Sequence, residues 1–300
     1  MTLLALLIAL LLDWYYPLPP NRLDRFTQPL QALSHYLNGG KRQHGQLAWM
    51  AAMLPALLVT GAIYVALDHL SPILGLLWDI VVLYPFLQFR RTMQAANQVY
   101  RALSQQDVVR AKQHYTDWQD TSCLVSDKEL PAMSIGHLLL DSQRHLFGVL
   151  MCFALFSVLG PVGAVFYGFS QLMAERWQFD SHGEFSRFAH AVLARVEWLP
   201  ARALALTFAI AGNFEDAMYC WRGQASNTSQ DIVLASGAGA LGIALETPVE
   251  SATDSASSST FGLGEHANYQ DLGSATSLVW RSLTIWMLLL LLVALAKLAH

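Results

Sequence analysis

Apolar positions along the chain fall in runs too long and too uniform for the interior of a water-soluble domain. Residues 280–299 carry Ile285-Trp286-Met287 followed by Leu288 to Leu292, with Arg281 near one end and Lys297 near the other as the only charges. That length matches the roughly 20 apolar residues that a bilayer core demands. Runs at about 1–16, 46–67 and 71–89 have the same character. The first holds no charge before Asp13 and lacks the basic start and small-residue cleavage site of a secretory leader, so it reads as a retained span. Trp14, Tyr15 and Tyr16 extend it into the headgroup zone, where aromatic rings favour the interface. Pro17, Pro19 and Pro20 end it, because proline brings no amide hydrogen to a helix. Only Asp68, His69 and Leu70 separate the second run from the third, which predicts a helical hairpin.

Between these runs the pattern changes. Met93, Ala96, Val99 and Leu103 recur every three or four positions, as on one face of a helix, and Asp107 is placed to cap a second helix at Val109 or Arg110. Residues 90–144 therefore read as a water-facing helical segment. Residues 145–173 are apolar again, but Leu159-Gly160-Pro161-Val162-Gly163 breaks them, so this element either crosses once or dips in and returns. The four arginines Arg176, Arg187, Arg195 and Arg202 just beyond it favour the returning form. Residues 247–277, rich in Ser, Thr, Gly and Ala, read as a flexible loop. The run Gly237-Ala238-Gly239-Ala240-Leu241-Gly242 lacks the lysine of a phosphate-binding loop and reads as a site of close helix packing. The expected fold is all-α: a single polytopic membrane helical bundle over 1–300, with about four full spans, one or two re-entrant or interfacial helices, and cytoplasmic helical segments.

Composition agrees, with 54% hydrophobic residues, 13% charged residues and a mean hydropathy of +0.35. Soluble domains carry about 25% charged residues. Lys and Arg number four in residues 13–45, none in the turn at 68–70, seven in 90–144 and one, Arg222, in 213–278. Basic segments stay on the cytoplasmic side, which puts the N-terminus and the hairpin turn outside. A net charge of -4 without a basic block argues against a nucleic-acid partner. The three cysteines Cys123, Cys152 and Cys220 are isolated, and the ten histidines are scattered, so neither a disulfide framework nor a metal site is expected.

Candidate chemistry is sparse. Asp79 lies inside the third span, where an ionisable group costs a few kcal/mol unless it faces water or a partner; the structural alternative is a pairing within the bundle. Asp120, Thr121 and Ser122 form a polar run whose plainer role is to cap a turn or helix. Arg202, next to Pro200, either anchors to lipid phosphate and a helix end or binds a ligand. These five residues are the candidate ligand or partner site.

Several local runs resemble the cobalamin-biosynthesis amide synthases called CobD or CbiB and their relative AmpE. They are Asp13, Gln119-Asp120-Thr121-Ser122-Cys123-Leu124 (compare R-D-T-S-x-L), Leu199-Pro200-Ala201-Arg202 (L-P-A-R) and Ala238-Gly239-Ala240-Leu241-Gly242 (A-G-A-L-G). Where the synthases carry E-T-x-A-E-N-x-x-D-G, this chain reads Leu139 to Gly148; their later lysine, asparagine and aspartate give way to Tyr167 to Met173, and an acidic pair to residues around Leu193-Ala194. An ATP-dependent ligase uses such carboxylates for Mg²⁺ and cations for phosphate. The departures resemble the AmpE branch, as does Glu197-Trp198-Leu199-Pro200-Ala201-Arg202 followed by Gly212, Ala217 and Trp221. That resemblance implies a multi-pass bacterial inner-membrane regulator linked to β-lactamase induction, the response to antibiotic and cell-wall recycling. It implies no catalytic residue, no cofactor and no metal, and as partners the lipid bilayer and a cytoplasmic or membrane protein. The alternatives are a divergent membrane enzyme acting on a phosphorylated or amide-bearing small molecule and a small transporter.

Overall fold

The computed structural model describes residues 2–16, 42–119, 126–177, 183–224, 228–247 and 259–299. Helices make up nearly all of them, and four are long and apolar enough to cross a membrane: His44–Leu70, Pro72–Ser104, Leu130–Leu155 and Tyr269–Ala296. The fold is an all-α polytopic membrane bundle.

In chain order, α1 (Thr2–Tyr15) stops just short of Pro17. α2 (Arg42–Leu70) and α3 (Pro72–Leu83) form the hairpin, with Ser71 alone between them. The Ser71 hydroxyl accepts the amide of Ile73 at 3.3 Å, and Pro72 occupies the first helical position, where a missing N–H leaves nothing unpaired. α4 (Phe89–Ser104) and α5 (Val108–Gln119) follow, and Asp107 caps α5 by accepting the amide of Arg110 at 3.0 Å. The buried face of α4 is Met93, Ala96, Val99 and Ala102.

α6 (Leu130–Ser142) runs through a π turn (Gln143–Phe147) into α7 (Gly148–Leu155). The apolar helix thus begins well inside the segment read as water-facing, because Asp141, Ser142, Gln143 and Arg144 interrupt the hydropathy without interrupting the helix. α8 (Val162–Arg176) and α9 (Gly183–Ala211) come next, then α10 (Phe214–Arg222) and α11 (Ser229–Leu241). Gly242, at φ +68°, ends α11 in the left-handed conformation that a residue without Cβ adopts at no cost.

The stretch read as a loop over 247–277 is partly built. β1 (Ile243–Thr247) lies between β2 (Ser259–Phe261), antiparallel with Leu245 opposite Phe261, and β3 (Glu265–His266), parallel with Ile243 opposite Glu265. α12 (Tyr269–Ala299) starts where Asp271 accepts the amide of Asn268 at 2.8 Å. Residues 248–258, which hold the serine run, lie outside the described residues.

The chain divides into two compact units. The first comprises Met1–Phe89 and Arg144–Pro200. In it α1 packs on α3, with Trp14 and Phe89 at 6.4 Å between ring centroids, and the Tyr84 hydroxyl donates to the Tyr16 carbonyl. Trp49 of α2 meets Phe166 of α8 and Phe188 of α9 edge-on at 6.1 and 5.9 Å, above a core of Met53, Met173 and Trp177.

The second unit comprises Arg90–Gln143 and Ala201–His300. Its centre is α11, buried on all sides from Ile232 to Ala240 and packed on α6, α10, α12 and the strands. A Cβ on Gly237 would stand 2.6 Å from Leu139 Cδ1, and one on Gly239 2.6 Å from the Asp216 carbonyl, so the glycine run does serve close packing. Arg281 donates to the Ala211 carbonyl at 2.9 Å, closing the end of α9, and the Trp286 indole donates to Thr207 at 2.9 Å.

Candidate functional site: a buried polar cluster beside a π turn

Within the first unit the break at residues 156–161 folds α8 back along α7. Gly160 takes φ +66° there, and a Cβ would stand 2.5 Å from the Tyr64 ring. Close approaches give the register: an added Cβ on Gly148 would stand 2.2 Å from the Tyr167 hydroxyl oxygen, and one on Gly163 2.2 Å from the Cys152 carbonyl oxygen. The pairs run in opposite senses, so the hairpin is antiparallel. Carried one turn on, this pairing brings Arg144 toward Gln171.

The hairpin and α9 surround a polar cluster. Tyr167, Gln171 and Glu175 recur every four residues and share one face of α8. That face passes from the fully buried Tyr167 through the buried Gln171 to the exposed Glu175. Glu197 enters from α9, three residues before Pro200, and is only 3% exposed. Arg144, half-buried, belongs to the π turn, an irregularity often found at functional sites, and the Gln88 amide donates to the His145 carbonyl there at 3.5 Å.

The electrostatics tie these groups together. Burial pushes the Glu197 carboxyl above the usual carboxylate range; Arg144 draws it back down and Glu175 pushes it further up. Arg144, Cys152, Glu175 and Glu197 all act on the Tyr167 hydroxyl. Three buried atoms of this cluster have no hydrogen-bond partner among the described residues: Glu197 Oε1, the Tyr167 hydroxyl and Gln171 Nε2. Native interiors rarely leave such atoms unpaired, so they mark a place where a polar ligand or water belongs. A carboxyl with raised proton affinity is a stronger proton acceptor than an ordinary carboxylate. The guanidinium beside it offers planar donors for a carboxylate or phosphate.

The residues singled out from the sequence are distributed differently. Asp79 lies on α3 in the first unit, 2% exposed, its Oδ1 without a partner. The Asp68 carboxylate lies across the same helix face, since a Cβ on Gly75, one turn before Asp79, would stand 2.9 Å from it. Arg202 is half-buried on the part of α9 that belongs to the second unit, where it is engaged. Asp120, Thr121 and Ser122, with Cys123, lie outside the described residues. Three of these five thus lie outside the described residues, and Asp79 and Arg202 belong to different units. Cys152 and Cys220 are buried and unbridged.

Sequence reasoning passed over Arg144, Tyr167, Gln171, Glu175 and Glu197 as site residues. The available signal was polar residues recurring every four positions inside an apolar segment. Among the described residues no three His, Cys, Asp or Glu side chains come together to hold a metal. A recess of ≈ 500 Å³ in the same unit, bordered by Val59, Ile63, Val82, Val165 and Phe169, is apolar; the Trp78 indole at its wall already donates to the Thr60 carbonyl.

No solved structure matches the chain. Among curated proteins it is similar to the "Cobalamin biosynthesis protein CobD" of Stutzerimonas stutzeri (strain A1501), at 30% identity over 96% of each chain. It is also similar to the protein of the same name from Chromobacterium violaceum, at 28% identity over 72% of this chain and 70% of that one. These relatives overturn the expectation of an AmpE-type, catalytically degenerate regulator linked to β-lactamase induction and the antibiotic response, and with it the leaning against an enzyme. Replaced carboxylates had argued for that branch, but the shared chain is nearly full-length and follows the biosynthetic proteins. The family model described as "CobD/Cbib protein" matches residues 6–279, and the chain belongs to the CobD/CbiB family.

Proposed function

We propose that this protein is a membrane enzyme of cobalamin biosynthesis that joins an amine to a carboxyl group of the corrin precursor through an amide bond. The polar cluster of Arg144, Tyr167, Glu175 and Glu197 is its reacting centre. Family membership and the name of relatives aligned over nearly the whole chain support the biosynthetic role. Amide formation is the activity that the synthase resemblance implies. The observation that carries the assignment of the centre is Glu197: a carboxyl 3% exposed, with one oxygen unpartnered, within the electrostatic reach of a half-buried arginine. Amide formation needs an acceptor for the amine proton and a donor for the developing oxyanion, and a carboxylate and a guanidinium in one water-poor place supply both.

The same proposal places the chain in the bacterial inner membrane with its N-terminus outside, supported by the Lys and Arg distribution. A strain lacking its own amide synthase should grow on cobyric acid when it carries this chain. Absence of growth, with the protein present in the membrane, would overturn the proposed activity. In the same cells a membrane-impermeant thiol reagent should label a His69→Cys variant made without the native cysteines; an unlabelled probe would reverse the topology.

A further inference from the structure

We infer that Glu197 is the proton acceptor of the amide-forming step, taking through Oε1 the proton that the attacking nitrogen sheds. This role rests on the function proposed above. It also rests on geometry: Glu197 is the buried carboxylate of the cluster and its Oε1 is unpartnered. The Tyr167 hydroxyl, also unpartnered, lies on α8 where Gly148 leaves room for its ring, and it is within the electrostatic reach of Glu197. Glu175 is exposed and hydrated, so it is poorly placed to serve a reaction that excludes water.

The nitrogen lone pair of a primary amine attacks the carbonyl carbon of a carboxyl group activated as an acyl phosphate by a nucleoside triphosphate. The C–N bond forms, the C–O bond to phosphate breaks, and phosphate leaves with the electron pair. One N–H proton passes to the ionised Glu197, which later returns it to water. Glu197 must be ionised to begin, so activity rises with pH through its own titration.

Burial and two charged groups set where that rise falls. Arg144 on the π turn favours the ionised form, whereas Glu175 on α8 disfavours it. Tyr167, in contact with Gly148, shares the field of both and of Cys152 on α7, and stays neutral under these conditions. Glu175 is a positioning residue here, acting through Glu197, and Arg144 acts on Glu197 in addition to its proposed donation to the oxyanion.

The test uses membranes containing the full chain, supplied with cobyric acid, ATP and Mg²⁺. The small-molecule filtrate of the complemented strain serves as the amine source, and amide product is read by mass across a pH series. Glu197→Gln should lower kcat by about 100-fold or more, the usual loss with a general base, at wild-type levels in the membrane, and Glu197→Asp should recover part of it. Arg144→Gln should move the acid limb of the profile to higher pH, with Arg144→Lys restoring it, while Glu175→Gln should move it to lower pH. Opposite displacements do not follow from a merely structural role. An active wild type with an equally active Glu197→Gln, or acid limbs that stay in place, would overturn the role alone. A wild type that forms no amide would overturn the proposed function and the role together.

Discussion

The two units bury polar groups in different ways. In the second, several interior hydroxyls donate to backbone: Ser134 to the Leu130 carbonyl at 2.7 Å, Ser142 to Leu138 at 2.6 Å, Thr207 to Ala203 at 2.7 Å and Ser236 to Ala205 at 2.7 Å. Its unpartnered buried atoms, among the described residues, sit on amides and a hydroxyl such as Gln143 and Ser282, none on an ionisable side chain. In the first unit they sit on the ionisable side chains His44, Asp79, Tyr167 and Glu197 as well as on Trp49 and Gln171. An unsatisfied neutral group costs about 1 to 3 kcal/mol, and a charged one more. Such costs are kept more often at sites of chemistry than in scaffolding, and the contrast supports the proposed placing of the reacting centre in the first unit.

The comparison can be broken most severely at Gly239. A Cβ there meets the Asp216 carbonyl at 2.6 Å and the Ala217 Cα at 2.8 Å, both backbone atoms that a side chain cannot push aside without moving a helix. Gly239→Val should lose about 3 kcal/mol, the upper end of overpacking costs. Its detergent melting temperature should fall sharply. A variant that melts like the wild type would mean that α10 and α11 are not close-packed.

A smaller effect is expected at Gly148, where the obstacle is the far end of the Tyr167 ring, which can yield. Gly148→Ala should cost about 1 kcal/mol of stability yet reduce amide formation far more, by displacing Tyr167 from the cluster. Combining it with Tyr167→Leu should restore the stability but not the activity, a non-additivity read by melting and by complementation. Equal losses in both readouts would reduce the cluster to packing.

The smallest expected effect concerns pH. The Glu197 carboxyl holds its proton more tightly folded than unfolded, so its share of stability is fully present below the unfolded value and is lost as pH rises through the folded one. Glu197→Gln should therefore melt like the wild type near pH 4 and above it near pH 8, if about 4.3 is the unfolded reference. A constant difference across that window would show that Glu197 titrates as it does in the unfolded chain.

Much of the fold was legible because hydrocarbon thickness sets span length and because caps use particular side chains. The α2–α3 hairpin, the Asp107 cap and the glycine packing in α11 were all readable this way. The continuity of α6 through the π turn into α7 was not, since Asp141 to Arg144 look like the end of an apolar element when hydropathy is read residue by residue. The strands after residue 242 were missed for a related reason: serine, glycine and threonine carry little signal of their own, and β1 pairs with segments distant in sequence.

By itself, the sequence determined that this chain lives in a membrane, roughly where it crosses, and which short runs resemble the synthases, because affinity for lipid is a property each residue brings with it. Only the tertiary structure decided that Arg144, Tyr167 and Glu197 share one buried place. Their meeting depends on the α7–α8 register set by Gly148 and Gly163 and on how α9 packs beside it, and such contacts between distant residues have no local imprint in the order of amino acids.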